Sequence, residues 1–252
     1  MELELAGRVA VVTGASAGIG RAIACTLAGE GVRTIVVARR AHLLAQLSDE
    51  VAAAGHPRPT VLALDLYDRS SPARVLDCVR SACGAVDILI NDAGGSRPLP
   101  VDAPDDDWDE SFAINFTAVR KMTQTLLPLM IERRWGRVVN ITGSMEPSGV
   151  NAANAAKAAV HAWAKGLSRR IGAHNITINS ITPGRIHSEQ IDKRLFPSAE
   201  SREAFARENI PMGYFGEPAD VASLAAFLCS EPARYLTGQR ICVDGGLHRA
   251  VV

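Results

Sequence analysis

Short runs of β-branched and other apolar residues alternate along this chain with longer stretches in which apolar residues recur at helical spacing. Each short run predicts a strand buried on both faces, and each longer stretch predicts a helix. The predicted strands are 8–13, 33–38, 60–64, 86–90, 137–141, 176–181 and 240–243, and the predicted helices are 18–30, 41–54, 71–83, 108–134, 152–173 and 218–229. The alternation predicts an α/β fold. We expect a single doubly wound domain over residues 1–252, with a seven-stranded parallel sheet and helices on both faces.

One segment interrupts this alternation. Residues 185–215 follow the sixth predicted strand and contain Pro197, Pro211 and Gly213. Ligands of open α/β sheets bind beyond the carboxyl ends of the strands, so this segment lies where a mobile cover over a site is expected. We therefore predict that residues 185–215 form a substrate lid.

Composition and charge exclude several classes of function. Lys plus Arg (27) balances Asp plus Glu (27), which gives no reason to expect nucleic acid or a membrane surface as a partner. No apolar run approaches the ~20 residues that span a bilayer, and the acidic start at residues 1–8 is unlike a signal peptide. Free thiols, a cytoplasmic location and no metal site are expected, because the cysteines are scattered without a C-x-x-C pair. They are Cys25, Cys78, Cys83, Cys229 and Cys242.

A glycine-rich turn follows the first predicted strand and opens the first predicted helix. Gly14 permits a tight turn, and Gly18 and Gly20 allow backbone amides to approach a pyrophosphate. The helix N-terminus favours the negative charge of that group. The spacing is G-x-x-x-G-x-G rather than G-x-G-x-x-G. Between a β-branched strand and a helix, it predicts a Rossmann-type dinucleotide site.

The tip of the second strand indicates which dinucleotide is bound. An acidic residue at this position holds the ribose 2′-hydroxyl of NAD, whereas an arginine pairs with the 2′-phosphate of NADP. Arg39 and Arg40 occupy the tip, and no Asp or Glu lies beside them. The sequence therefore predicts NADP(H) in preference to NAD(H), with two solvated arginines opening a helix as the alternative.

Five motifs in order resemble those of the short-chain dehydrogenases/reductases. They are the turn at 13–20, Asn-Asp-Ala-Gly at 91–94, Asn115, N-x-x-x-P-G at 179–184, and the segment 238–246 ending in Val-Asp-Gly-Gly. Overall the motifs are most similar to the 3-oxoacyl-thioester (acyl-carrier-protein) reductase branch. The resemblance implies an oxidoreductase that interconverts a ketone or aldehyde and an alcohol with a nicotinamide cofactor. It also implies a small-molecule substrate and a homotetramer.

The resemblance also implies roles for individual residues. Lys157 holds the nicotinamide ribose and acts in catalysis, Asn115 supports Lys157 through water, and a serine after the fifth strand holds the substrate oxygen. The residues expected to bind the cofactor are Gly14, Ser16, Ala17, Gly18, Ile19, Gly20, Arg39, Arg40, Asp65, Leu66, Asn91, Ala93, Gly94, Lys157, Pro183, Gly184, Ile186 and Ser188. For Asp65, a helix cap is the alternative role.

Two positions depart from the family pattern. The family carries Tyr-x-x-x-Lys, which places acid and lysine on one helix face, but Ala153 stands four residues before Lys157. Gly143 stands where the serine is expected, so Ser144 is the preferred hydroxyl and Thr142 the second choice. A water beside Ala153 that relays protons from Lys157 could replace the tyrosine. The other candidate acids are His187, Glu146, His161 and Tyr214, each with an ordinary surface or packing role as its alternative.

Three functions fit this pattern. The first is an active NADP(H)-dependent reductase, because general acid–base catalysis supplies only ~10²–10⁴-fold of an enzyme's rate and positioning needs no tyrosine. The second is a non-catalytic nucleotide-binding homologue that serves as a partner subunit or sensor. The third is a lyase or isomerase step in which Lys157 acts alone. An active reductase should consume NADPH with a carbonyl substrate. A nucleotide-binding homologue should bind NADPH without turnover, and a lyase or isomerase should form product without any change in the redox state of the nicotinamide.

Overall fold

The strands of this computed structural model form one parallel sheet, and the described residues are 1–96, 98–147, 149–189 and 191–250. The side chain of Arg194 also lies outside the description. The strands are β1 (Val9–Thr13), β2 (Arg33–Ala38), β3 (Thr60–Ala63), β4 (Ile88–Asn91), β5 (Gly136–Ile141), β6 (Ile176–Pro183) and β7 (Arg240–Val243). Their order is β3-β2-β1-β4-β5-β6-β7, which confirms the predicted seven-stranded doubly wound sheet.

Helices connect successive strands, as predicted for parallel pairing. They are α1 (Gly18–Gly29), α2 (Ala41–Ala53), α3 (Ser71–Ala82), α4 (Asp105–Phe112), α5 (Ala118–Arg133), α6 (Ala152–Ile171), α7 (Ala199–Asn209) and α8 (Pro218–Cys229). The predicted helix at 108–134 is divided by a π-helical turn, Ala113–Thr117, between α4 and α5. A short 3₁₀ turn, Gly172–His174, follows α6.

Both faces of the sheet are buried because alternate residues of each strand point to opposite sides. Val12 packs in a core with α1 and α8, whereas its neighbour Val11 packs in a second core with α3, α5 and α6. All five residues of β1 are buried. The strand therefore carries the glycine turn rigidly at its carboxyl end. Among the described residues, no helix is long and apolar enough to cross a membrane.

The segment 185–215 is more regular than the sequence indicated. It contains a π-helical turn, Ile191–Leu195, and helix α7, which the sequence analysis missed; Gln190 lies outside the described residues. Phe196, Phe205 and Phe215 pack together, with ring centroids 4.9 Å apart for the first two. The segment therefore has a small apolar core of its own beside the sheet.

Candidate functional site

The glycine turn packs against the loop that follows β4. An added Cβ at Gly14 would lie 2.8 Å from the backbone nitrogen of Ala93, and one at Gly20 would lie 2.7 Å from the Gly14 carbonyl oxygen. Only glycine fits these two positions without displacing backbone. Thr13 ties the loops together, since its Oγ1 donates to the Ile90 carbonyl (3.1 Å) and accepts from the amide of Ala93 (3.2 Å).

The first turn of α1 has no side-chain cap. Its N-cap residue is Ala17, which has no side-chain hydrogen bond to offer, and the first turn contains no acidic residue. The first amides of a helix have no partner within the helix, and their dipoles attract anions. Gly18 has a positive φ of 58°, and the nearest atom to an added Cβ there is Ser188 Cβ at 3.8 Å. The turn is thus a cradle with amides available to a phosphate group.

Asp92 lies directly beneath this cradle. Its Oδ2 would be 2.5 Å from a Cβ at Gly20 and 2.8 Å from one at Gly14, and the Gly20 amide hydrogen bonds to its carboxylate. Burial raises the pKa of Asp92 to about 7, against the opposing effects of the positive charge on Lys157 and the Gly20 amide. The Asp92 carboxyl is therefore close to half protonated at neutral pH.

The two arginines at the tip of β2 have different surroundings. Arg40 donates from Nε and Nη2 to Ser16 Oγ (3.2 and 3.1 Å) and forms an ion pair with Glu189 at 2.6 Å. Arg39 is exposed, and it makes no hydrogen bond or ion pair within the part of the chain that the structure describes. Both guanidinium groups therefore border the turn, and that of Arg39 is free to bind an anion.

Lys157 runs between two glycines at the carboxyl ends of β4 and β5. Its Cε would be 3.8 Å from a Cβ at Gly94 and its Cδ 3.2 Å from one at Gly143, and its Nζ donates to the Thr142 carbonyl at 3.3 Å. Burial lowers the pKa of the Lys157 ammonium, although the charge of Asp92 opposes this effect. The lysine therefore releases a proton more readily than an exposed lysine does.

Asn115 lies in the π-helical turn, a helix irregularity that is frequent at functional sites. Its Oδ1 accepts from the Gly95 amide (3.2 Å) and its Nδ2 donates to the carbonyls of Gly95 (3.0 Å) and Ser111 (2.9 Å). Oδ1 would also lie 2.7 Å from a Cβ at Gly94. Asn115 thus holds in place the loop of Gly94 and Gly95, beside which the Lys157 side chain lies.

An added side chain at position 143 would lie against Lys157. An added Cβ at Gly143 would meet Lys157 Cδ at 3.2 Å and Asn154 Oδ1 at 3.6 Å. Thr142 is buried and donates to the Ile181 carbonyl at 2.9 Å. Ser144 Oγ accepts from the Glu146 amide at 3.0 Å, and its own O–H makes no hydrogen bond to any described residue.

The candidate replacement acids have different surroundings. Glu146 accepts from the amides of Arg249 and Ala250, which hold its pKa below the ordinary value and keep it ionised. Burial lowers the pKa of His161 to about 4, with the charge of Arg240 contributing, so its imidazole is neutral. His187 Nδ1 lies 2.8 Å from Asp192 Oδ1 in the segment 185–215, and Tyr214 is 56% exposed. Ala153 is 1% exposed, so its methyl group faces packed atoms rather than open space.

The remaining predicted cofactor residues fall into two groups. Asn91 uses its side chain inside the protein, donating to Asn140 Oδ1 (2.9 Å) and Thr123 Oγ1 (3.2 Å), so only its backbone is available to a ligand. Asp65 accepts from the Tyr67 amide in a turn before α3 rather than capping that helix. The rest, apart from Leu66, line the turn or the segment after β6. They are Ile19, Ala93, Gly94, Pro183, Gly184, Ile186 and Ser188.

Comparisons with known proteins agree with this geometry. Residues 14–248 match the family model described as enoyl-(acyl carrier protein) reductase. The 3-oxoacyl-[acyl-carrier-protein] reductase FabG of Vibrio harveyi is 34% identical over 250 residues, which cover 98% of this chain and 99% of that protein. The corresponding protein of Escherichia coli is 34% identical over 246 residues, or 96% and 98% of the two chains. This chain belongs to the short-chain dehydrogenase/reductase family.

Solved structures of the short-chain dehydrogenases/reductases superpose closely on this fold. L-sorbose reductase from Gluconobacter frateurii, complexed with NADPH and L-sorbose, gives a TM-score of 0.93 at 29% identity and covers 100% of both chains. YwfH, an NADPH-dependent reductase of bacilysin biosynthesis, gives a TM-score of 0.91 at 31% identity and covers 97% of this chain and 99% of that one. These homologues are oxidoreductases that use a nicotinamide cofactor.

The sequence predicted no metal site, but three potential metal ligands lie close together near the end of the chain. The ligand atoms of Cys242, Asp244 and His248 all lie within 4.8 Å of one another. Asp244 Oδ2 is already 2.5 Å from His248 Nδ1, and Oδ1 accepts from the Gly246 amide. The carboxylate is therefore paired within the protein.

Proposed function

We propose that this chain is an NADP(H)-dependent oxidoreductase that interconverts a ketone or aldehyde and an alcohol, with 3-oxoacyl thioesters as its substrate class. The observation that carries the proposal is the Lys157 side chain, which passes between Gly94 and Gly143 at the strand ends beside the phosphate cradle. The substrate class comes from the 3-oxoacyl-[acyl-carrier-protein] reductases that share 34% identity with almost the whole chain.

The cradle supports a pyrophosphate as its ligand. Gly14 and Gly20 exclude side chains, and Ala17 caps none of the amides that follow it, of which that of Gly20 is bonded to Asp92. A bound nicotinamide supplies or accepts the hydride. In this proposal Lys157 holds the nicotinamide ribose and gives the carbonyl oxygen its proton, and Asn115 holds the loop beside it. The free O–H of Ser144 donates to the same oxygen.

A non-catalytic nucleotide-binding protein is the second candidate. Ala153 and Gly143 both lack the functional groups that the family pattern carries at these positions, while the cradle remains. Two assays separate the candidates: NADPH binding by fluorescence, and loss of NADPH absorbance with a panel of ketones, aldehydes and acetoacetyl-CoA. The proposal expects turnover with a panel member. Micromolar binding with no turnover would favour the second candidate.

We also propose that residues 185–215 act as a lid in a single domain, in a cytoplasmic homotetramer without metal, membrane or nucleic acid partners. The ion pair between Glu189 and Arg40, and the approach of Ser188 to Gly18, support a cover over the cradle. The family resemblance supports the tetramer. Light scattering after size-exclusion chromatography tests it, with a mass of four chains expected.

Arg39 is proposed to bind the 2′-phosphate of NADP(H). We expect Arg39→Asp to weaken NADPH binding by about 10–100-fold, because a hydrogen bond to a charged group contributes about 1.5–3 kcal/mol. NADH, which lacks the phosphate, should bind no more weakly than before. The matched control is Arg33→Asp, which makes the same change at the exposed, opposite end of β2. Equal losses for both cofactors would contradict this role.

The ionisation of the Asp92 carboxyl is expected to make the affinity for NADPH depend on pH. Below about pH 7 its carboxyl is neutral, and above that value a carboxylate lies beneath the amides proposed to bind the pyrophosphate. Like charges repel, so the Kd for NADPH should rise as the pH increases from 6 to 8.5, by roughly tenfold in that interval. Asp92→Asn keeps the shape of the side chain and should flatten this rise. Any titration of NADPH itself affects the unchanged protein and Asp92→Asn equally. The same dependence of Kd on pH in both proteins would therefore rule out Asp92 as the cause.

A further inference from the structure

The carboxamide of Asn154 lies beside Gly143, the position at which the family pattern carries its serine, with Oδ1 3.6 Å from an added Cβ there. We propose that Asn154 is a catalytic residue that holds the carbonyl oxygen of the substrate through its Nδ2–H group. The inference rests on the reductase function proposed above. It adds a residue that the Tyr-x-x-x-Lys motif leaves unspecified, at the position directly after Ala153.

The first support is geometric. Lys157 Cδ and Asn154 Oδ1 lie 3.2 and 3.6 Å from one and the same point, an added Cβ at Gly143. The two side chains are three residues apart on α6 and therefore lie on one face of that helix. Both keep some accessible surface, whereas Ala153 is 1% exposed. The side of α6 that faces the strand ends and the cleft thus presents an amide and an ammonium together.

The second support is that this amide has no partner. Asn154 makes no side-chain hydrogen bond to any residue that the structure describes, unlike the other asparagines around the site. Asn151 caps α6, accepting from the Ala153 amide at 3.0 Å and donating to Ser96 Oγ at 2.8 Å. Asn115 and Asn91 are likewise engaged. A half-buried amide with unused donors is suited to bind a ligand oxygen.

Asn154 and Lys157 have different roles in the proposed reaction. A carboxamide donates a hydrogen bond but has no proton to give at neutral pH, so Asn154 polarises the carbonyl and stabilises the charge that develops on oxygen. With a reduced nicotinamide bound, hydride would pass from that cofactor to the carbonyl carbon, and the Lys157 ammonium would give the oxygen its proton. The products are the alcohol, the oxidised nicotinamide and a neutral lysine, which regains its proton from water.

Steady-state kinetics with NADPH and acetoacetyl-CoA test this role. Asn154→Leu removes the donor at nearly constant volume. It should lower kcat/KM for the ketone by about 100-fold, the usual cost of losing one oxyanion donor. NADPH affinity and the melting temperature should stay close to those of the unchanged protein, because Asn154 supports neither the cradle nor the N-terminus of α6. An unchanged kcat/KM in Asn154→Leu would overturn the inference and leave the reductase function standing.

A charge-bearing variant gives a second readout. Asn154→Asp places a carboxylate beside Lys157, which should raise the pKa of the ammonium and move the pH profile of kcat to higher pH. The matched control is Ala155→Asp, which puts the same charge on the exposed side of the same helical turn. The inference fails if the two variants shift the profile equally.

A measurement without turnover separates the inference from the proposed function. NADP⁺ cannot reduce a ketone, so its complex with the protein can be titrated with acetoacetyl-CoA without turnover. The titration should shift the NMR signals of the Asn154 side-chain NH₂ group. These signals are assigned by their loss in Asn154→Asp. Binding of acetoacetyl-CoA without that shift would overturn the role of Asn154 alone. If acetoacetyl-CoA neither binds nor is reduced, the proposed function fails and the inference fails with it.

Discussion

Lys157→Ala is expected to reduce carbonyl reduction by at least about 100-fold, because it removes the proposed proton donor and a general acid contributes ~10²–10⁴-fold. The variant should also bind NADPH less tightly, since the ammonium is proposed to contact the nicotinamide ribose. Fold stability should be nearly unchanged or higher, because the buried ammonium is desolvated and donates a single hydrogen bond among the described residues, to the Thr142 carbonyl.

The control for this prediction is Lys165→Ala, which removes an exposed lysine from the same helix. It should retain the activity and the NADPH affinity of the unchanged protein. Kinetics with acetoacetyl-CoA and fluorescence titration with NADPH provide both numbers. An active Lys157→Ala protein would show that another group donates the proton and would remove the main support for the proposed mechanism.

Gly20→Ala is expected to have the second large effect. The new Cβ would lie 2.5 Å from Asp92 Oδ2 and 2.7 Å from the Gly14 carbonyl oxygen, so backbone must move. Overpacking of this kind costs about 1–3 kcal/mol, and the displaced turn is the proposed pyrophosphate site. NADPH affinity should fall by about 5- to 140-fold, since an equal free-energy loss in binding corresponds to a tenfold change for each ~1.4 kcal/mol.

Gly29→Ala provides the matched comparison. Gly29 lies at the other end of α1 with nothing within 4 Å of an added Cβ, and alanine is the better helix former by up to about 1 kcal/mol. This variant should keep its NADPH affinity and melt at the same temperature or slightly higher. Similar losses of NADPH affinity in both variants would indicate a general effect on α1 rather than a specific contact at the cradle.

The strand pattern predicted the sheet well because parallel strands buried on both faces consist almost wholly of apolar residues. The seven predicted strands all occur, with ends displaced by a few residues, for example β4 at Ile88–Asn91 instead of 86–90. Helix α7 was missed because its sequence, AESREAFAREN, has little apolar periodicity and only Ala206 is buried. Its stability comes from the Ser198 cap and from the packing of Phe205 against Phe196 and Phe215, which lie on either side of the helix in sequence and outside its periodic pattern.

The site could be predicted where the chemistry depends on the backbone. The spacing of Gly14, Gly18 and Gly20 identifies a phosphate cradle because side chains are excluded from it. The roles of Asp92 and Asn154 could not be predicted in the same way, because both depend on what lies opposite them. Asp92 meets the glycine turn from the end of β4, which is the third strand after β1 along the chain but its neighbour in the sheet. Asn154 meets Gly143 across a loop. The only signal for Asn154 in the sequence is a polar residue about one helical turn before Lys157.

The most direct test of the central claim is transfer of deuterium from NADPH labelled at the nicotinamide C4 to acetoacetyl-CoA, followed by mass spectrometry of the product. We predict a 3-hydroxyacyl thioester that carries one deuterium for each NADPH oxidised, with Lys157→Ala forming almost none. Tight NADPH binding with no labelled alcohol from this substrate or any other carbonyl of the panel would contradict the account.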